Sequence, residues 1–133
     1  DAEGNPKWGD IEQKQPVFED AMGVGWCVSA SYSPYLKRIL LCTEHGESHQ
    51  GQLGFFESPT PWGPWSTIAY HTPAKPFGAD RQGSDLSWSN NVFFAGFPTK
   101  WFHENEFALC FTGSGQGKDN DSFNVVRGKF LMR

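Results

Sequence analysis

Carboxylates and imidazoles crowd one short stretch of the chain. Glu44-His45-Gly46-Glu47-Ser48-His49 puts two of each within six residues. Two carboxylates can hydrolyse a glycosidic bond, one protonating the leaving oxygen while the other activates water or attacks the sugar carbon. Glu44 and Glu47 qualify by type, and so do Asp80 and Asp85 in the irregular stretch that follows Thr72. Glu44, Glu47 and Asp85 are the catalytic candidates, and the ordinary alternative for each is a solvated loop carboxylate. In an extended chain His45, Glu47 and His49 would share one face, a donor set that suits zinc or another transition metal. Gly46 suggests a bend there and the spacing matches no metal motif, so this triad is a secondary alternative to no metal at all. Asp119–Asn124 offers oxygen ligands but lacks the glycine and distal glutamate of a calcium loop, and reads as a polar turn.

Tryptophans supply the other chemistry. An indole stacks on the apolar C–H face of a sugar ring, whose hydroxyls then need amide or charged partners nearby. Trp88 sits beside Ser87, Ser89, Asn90 and Asn91, and Lys100 precedes Trp101. Trp88, Asn90, Asn91, Lys100, Trp101 and His45 are the candidate ligand-binding residues. The competing role is packing, since each ring buries ~150–250 Å², and packing is the preferred role for Trp62 and Trp65. No nucleophile motif, phosphate loop or dinucleotide fingerprint is present, and no cofactor is expected.

The rest of the chain limits the classes of partner. A formal net charge of −4 without a Lys/Arg cluster is a poor basis for gripping phosphate. Nucleic acid and anionic membranes are therefore not expected partners. Acidity with 16% aromatic residues suits neutral, hydroxylated ligands. No apolar run approaches the ~20 residues of a membrane helix. Cys27, Cys42 and Cys110 each lie in an apolar segment at wide spacing, which fits buried thiols better than a disulfide framework or a zinc site. Free thiols lean towards a cytoplasmic setting, and no targeting segment is visible.

The elements that must position these groups are short strands. The 133 residues suffice for one domain, and 15 glycines and nine prolines punctuate the apolar runs. Residues 1–15 read as a polar leader with Trp8 as a pin, and residues 16–133 as a single all-β domain. Strands are expected at Pro16–Phe18 (a short edge), Gly25–Tyr32, Arg38–Glu44, Leu53–Glu57, Trp65–His71, Val92–Phe97, Phe107–Thr112 and Phe123–Met132. Thr72–Ser89 reads as a long loop, of the kind that often carries function. The best helical pattern, Ile11–Ala21, is interrupted by Pro16. A shift of 68 residues lays Leu41-Cys42 on Leu109-Cys110 and Phe55 on Phe123. That repeat divides the domain into blade-like units of about 16–71 and 86–133, and radially repeated four-stranded sheets are what propellers are built from.

Ser58–Trp65, SPTPWGPW, is a stiff aromatic corner between two of these strands. Pro61 and Pro64 pre-set φ for turning. With its flank, GFFESPTPWGPW resembles a segment of five-bladed β-propellers of the glycoside-hydrolase type. YSPYLKRILLCTEH is similar to the strand pair before that corner. GFPTKWFHENEFALCFTG and DSFNVVRGKF resemble the opening and closing of the next blade in a bacterial branch of the group. The resemblance covers roughly Val17–Met132 and implies antiparallel four-stranded blades, about the last two of such a propeller. A small β-sandwich or barrel is the alternative fold.

What the resemblance implies for function is a glycoside-hydrolase-like domain that binds carbohydrate as an accessory or incomplete enzyme module. The alternatives are a genuine hydrolase completed by oligomerisation or further residues, and a self-associating interaction protein. An isolated pair of blades exposes sheet edges, which invites pairing between chains. A homo-oligomer formed through those edges is expected.

Overall fold

A computed structural model describes residues 5–25, 27–45, 52–72, 92–113 and 122–132. They form seven strands in two antiparallel meanders. The first sheet has the order β1 (Ser29–Ser33), β2 (Arg38–Glu44), β3 (Leu53–Ser58) and β4 (Ser66–His71). The second has the order β5 (Val92–Gly96), β6 (Glu106–Gly113) and β7 (Phe123–Lys129). The protein is all-β, and no helix among the described residues is long and apolar enough to cross a membrane.

The core lies between the sheets. Alternation along β2 and β3 turns Leu40, Cys42, Leu53 and Phe55 to one face, where they meet Val92, Ala95, Phe107, Leu109 and Phe111 of the second sheet. Register explains the selection: Cys42 pairs with Phe55 and Leu109 with Val126, so each pair shares a face. Phe97 bridges the layers, with its ring centroid 5.7 Å from that of Phe55 and 5.3 Å from that of Phe107. Phe130 closes the lower end, 4.6 Å from Phe107. Its backbone is clamped by Asn105, whose carbonyl accepts the Phe130 N–H at 2.8 Å and whose side-chain amide donates to the Phe130 carbonyl at 2.8 Å.

The first strands of the two sheets lie against each other, and their contacts advance together along the chain. Cys27 meets the Phe94 backbone, the Ser29 hydroxyl donates to the Ala95 carbonyl at 2.6 Å, and Tyr35 reaches His103. β1 and β5 therefore run side by side in the same direction. Their close approach needs Gly96, where a Cβ would stand 2.7 Å from the Ser29 Oγ.

Pro16–Phe18 is not an edge strand. It belongs to a strap, residues 17–25, that crosses the outer face of the first sheet without a ladder. The Trp65 indole donates to the Val17 carbonyl at 2.9 Å, and Phe18 packs 4.6 Å from Phe56. The Tyr70 hydroxyl donates to Asp20 at 2.8 Å, and the Gly25 N–H donates to the Glu44 carbonyl at 2.7 Å. Two further expectations are corrected, the start of β1 and the role of Trp8. The ladder of β1 begins only at Ser29, because the chain at Gly25 has already turned to run with the strap. Trp8 pins nothing, being 92% exposed, and the helical pattern yields only a 3-10 turn at Ile11–Gln13.

Candidate functional site

Strand direction sorts the connections between two rims. β2, β4 and β6 end, and β1, β3, β5 and β7 begin, at one rim. The strand ends that flank residues 46–51, 73–91 and 114–121 all lie at that rim. The opposite rim carries the shorter turn at 34–37, the proline-rich corner at 59–65 and the link at 97–105. Binding residues are disproportionately carried by loops that a rigid scaffold positions.

Glu44 and His45 form the floor of this rim, and both are 3% exposed. Glu44 ends β2 on the face that looks into the core. Its carboxylate lies near two thiols: burial pushes the Cys27 and Cys42 thiols up, and the nearby Glu44 charge adds to both shifts, while the Phe94 backbone pulls Cys27 the other way. A Cβ at Gly25 would stand 2.8 Å from the Glu44 Cβ, so the chain passes over Glu44 only as glycine. His71 ends β4 in the same row across the sheet, since both Glu44 and His71 pair with Leu53.

His45 faces the other way, beneath the strap. Its Nδ1 is 2.6 Å from the Gly23 carbonyl and its Nε2 3.5 Å from the Thr43 hydroxyl. That geometry makes Nδ1 the donor and leaves Nε2 to accept from Thr43. The ring packs on Phe56 and Tyr70, over Gly54. Both side chains thus touch protein rather than solvent.

Lys100 and Trp101 lie at the opposite rim, in a 3-10 turn at Thr99–Trp101. Trp101 lines an open groove of about 850 Å³ on the outer face of the second sheet, with His103, Glu106, Val125, Arg127 and Lys129. Lys129 and Glu106 pair across the strands at 2.6 Å. The pairing holds the Glu106 carboxyl below its ordinary range and lifts Lys129 above its own. Sequence reasoning missed Arg127, Lys129 and Glu106 as neighbours of Trp101. Their alternation along β7 and opposite β6 was the available signal.

Glu47, His49, Asp80, Asp85, Trp88, Asn90 and Asn91 lie outside the described residues. No group of three His, Cys, Asp or Glu side chains suited to a metal occurs among the described residues. Trp65 packs against Phe18 at 5.7 Å, in keeping with a packing role for the corner, while Trp62 stays 39% exposed. The fold defines the chain as an all-β protein of two face-packed antiparallel meanders. No family model, curated protein or solved structure matches it.

Proposed function

We propose that the chain is a propeller-derived, glycoside-hydrolase-like domain that binds carbohydrate as an accessory or incomplete enzyme module. The carrying observation is strand direction: two antiparallel meanders set their first strands, β1 and β5, side by side in the same direction. Adjacent parallel inner strands with antiparallel meanders outside them are the arrangement of neighbouring propeller blades. In this reading Trp88 is the stacking platform and Asn90 and Asn91 are the partners of the sugar hydroxyls. Glu44 and His45 anchor the rim from below. The net charge of −4 favours a neutral ligand over an anionic one.

A glycan array with the wild type, Trp88→Ala and Trp101→Ala tests this. Binding to a neutral glycan is expected, weakened by roughly tenfold or more in Trp88→Ala and unchanged in Trp101→Ala. The reverse pattern would move the site to the groove on the second sheet. An array with no signal would overturn carbohydrate binding altogether. Hydrolysis would need two carboxylates ~5–10 Å apart. Glu47 and Asp85 are the candidates for that pair, and any glycanase activity should collapse in Glu47→Gln or Asp85→Asn.

A further inference from the structure

The groove beside Trp101 is built from fixed parts. Its wall is the link between β5 and β6, where the 3-10 turn at Thr99–Trp101 runs into a bridge between His103 and Glu106. The His103 N–H donates to the Glu106 carbonyl at 3.2 Å, and the Glu106 N–H donates to the His103 carbonyl at 2.8 Å. Phe102, between Trp101 and His103, is buried in the core and stacks on Phe97. Its two neighbours are thereby left on the groove side, where Trp101 stays 49% exposed. The floor is the ladder of β6 and β7, in which Ala108 pairs with Arg127 and its small side chain leaves room beside the guanidinium.

The charges in the groove do not cancel. Lys129 takes the Glu106 carboxylate at 2.6 Å. Arg127 lies near enough to Glu106 to help hold that carboxyl low, but forms no ion pair among the described residues. Two cations against one carboxylate leave a local positive charge in a chain whose formal net charge is −4. On the link itself Lys100 and Glu104 offset each other. An indole takes the C–H face of a sugar ring, and a guanidinium fork takes a carboxylate through two parallel hydrogen bonds.

We propose that this groove is a ligand site of its own and takes an acidic sugar residue, with the ring on Trp101 and the carboxylate on Arg127. Its volume of about 850 Å³ lies within the range of small-molecule sites. His103 offers an imidazole to a sugar hydroxyl. Glu106 sets the limit on charge: it holds Lys129 aside and opposes a second negative group, so a single carboxylate is favoured. The site uses neither Trp88 nor a neutral ligand, so it and the neutral-glycan reading can fail separately.

Isothermal titration calorimetry with a galacturonate trisaccharide, and with the galactose trisaccharide of the same linkage as its neutral match, tests the site. The wild type should bind the uronate about tenfold or more tighter than the neutral match. Trp101→Ala and Arg127→Gln should each weaken uronate binding by about tenfold or more, while Trp88→Ala leaves it unchanged. Glu106→Gln removes the opposing carboxylate and frees Lys129, and should tighten binding about two- to fivefold. A merely structural role for Glu106 would not produce that gain. Circular dichroism and thermal unfolding check the fold of these variants, whose positions in the groove are exposed. No uronate binding, equal binding of the neutral match, or indifference to both Trp101→Ala and Arg127→Gln overturns the proposal. So does weaker binding in Glu106→Gln. Loss of uronate binding in Trp88→Ala would overturn it too, by moving the acidic sugar out of this groove.

Discussion

His71 ends β4 with its ring 1% exposed, and burial lowers its pKa from 6.5 to about 4. The folded state therefore holds the ring neutral over a range in which the unfolded chain takes up a proton. Stability from this site is complete above pH 6.5 and drains away as the pH falls towards about 4. The loss is on the order of 3 kcal/mol for a shift of this size. Urea unfolding at neutral pH and near pH 4 should show it, and His71→Gln should flatten the difference; equal slopes in both proteins would remove the imidazole as its source. Gly54 is decided by sterics instead. A Cβ there would enter the His45 ring and stand 2.7 Å from the Phe56 ring. The imidazole cannot yield, because Gly23, Phe56 and Tyr70 hold it. Gly54→Ala should cost about 1–3 kcal/mol by overpacking, read as a lower denaturation midpoint at constant m-value.

Among the elements, the strap differs from the strands in what holds it. Among the described residues it has no ladder; Phe18 packs on Phe56 and Trp65, Trp65 and Tyr70 donate to Val17 and Asp20, His45 donates to the Gly23 carbonyl, and the Gly25 N–H donates to the Glu44 carbonyl. Tyr70→Phe removes the hydroxyl that donates to Asp20, a bond strong enough to raise the Tyr70 pKa. The expected result is faster amide exchange over residues 18–25 with the β2 and β3 amides unchanged, and a stability loss of about 1 kcal/mol. The strands themselves were legible in the sequence. Arg38–Glu44 falls where the apolar run places it, and the Gly/Pro punctuation sets the others to within a few residues. The strap was not legible, because Val17 and Phe18 pattern as well for an edge strand as for a cover, and only the tertiary partners of Asp20 and Val17 distinguish them. The site was legible as residue types but not as places. Alternation along β2 gave Glu44 and His45 opposite faces, but burial of both depends on Gly25 and Gly23, far away in sequence. Trp101 was legible as an exposed indole, while its charged neighbours come from β6 and β7 through a pairing that the sequence does not state.

At the scale of the whole molecule, the two sheets carry unlike outer faces: among the described residues the strap crosses the first, while Phe123, Val125 and Trp101 stay exposed on the second. That asymmetry decides the kind of assembly open to the protein. If chains associate, the strap bars the Leu41–Phe56 face, and the exposed side chains of the second sheet are left to meet a neighbour. Without it, the Leu41–Phe56 face of one copy is equivalent to the face that the second sheet buries against the first, so it becomes the natural partner of another copy's exposed face. Such contacts are heterologous and do not close unless the rotation per copy divides a circle. Phe18→Asp should loosen the strap by charging its apolar anchor, which packs 4.6 Å from Phe56 and 5.7 Å from Trp65. The weight-average mass should then rise with concentration above that of the wild type. Adding Val125→Lys should lower it again if the exposed face of the second sheet is the other half of the contact. A Phe18→Asp variant no more associated than the wild type would show that the strap does not limit assembly. Growth indifferent to Val125→Lys would locate the contacts at the strand edges instead.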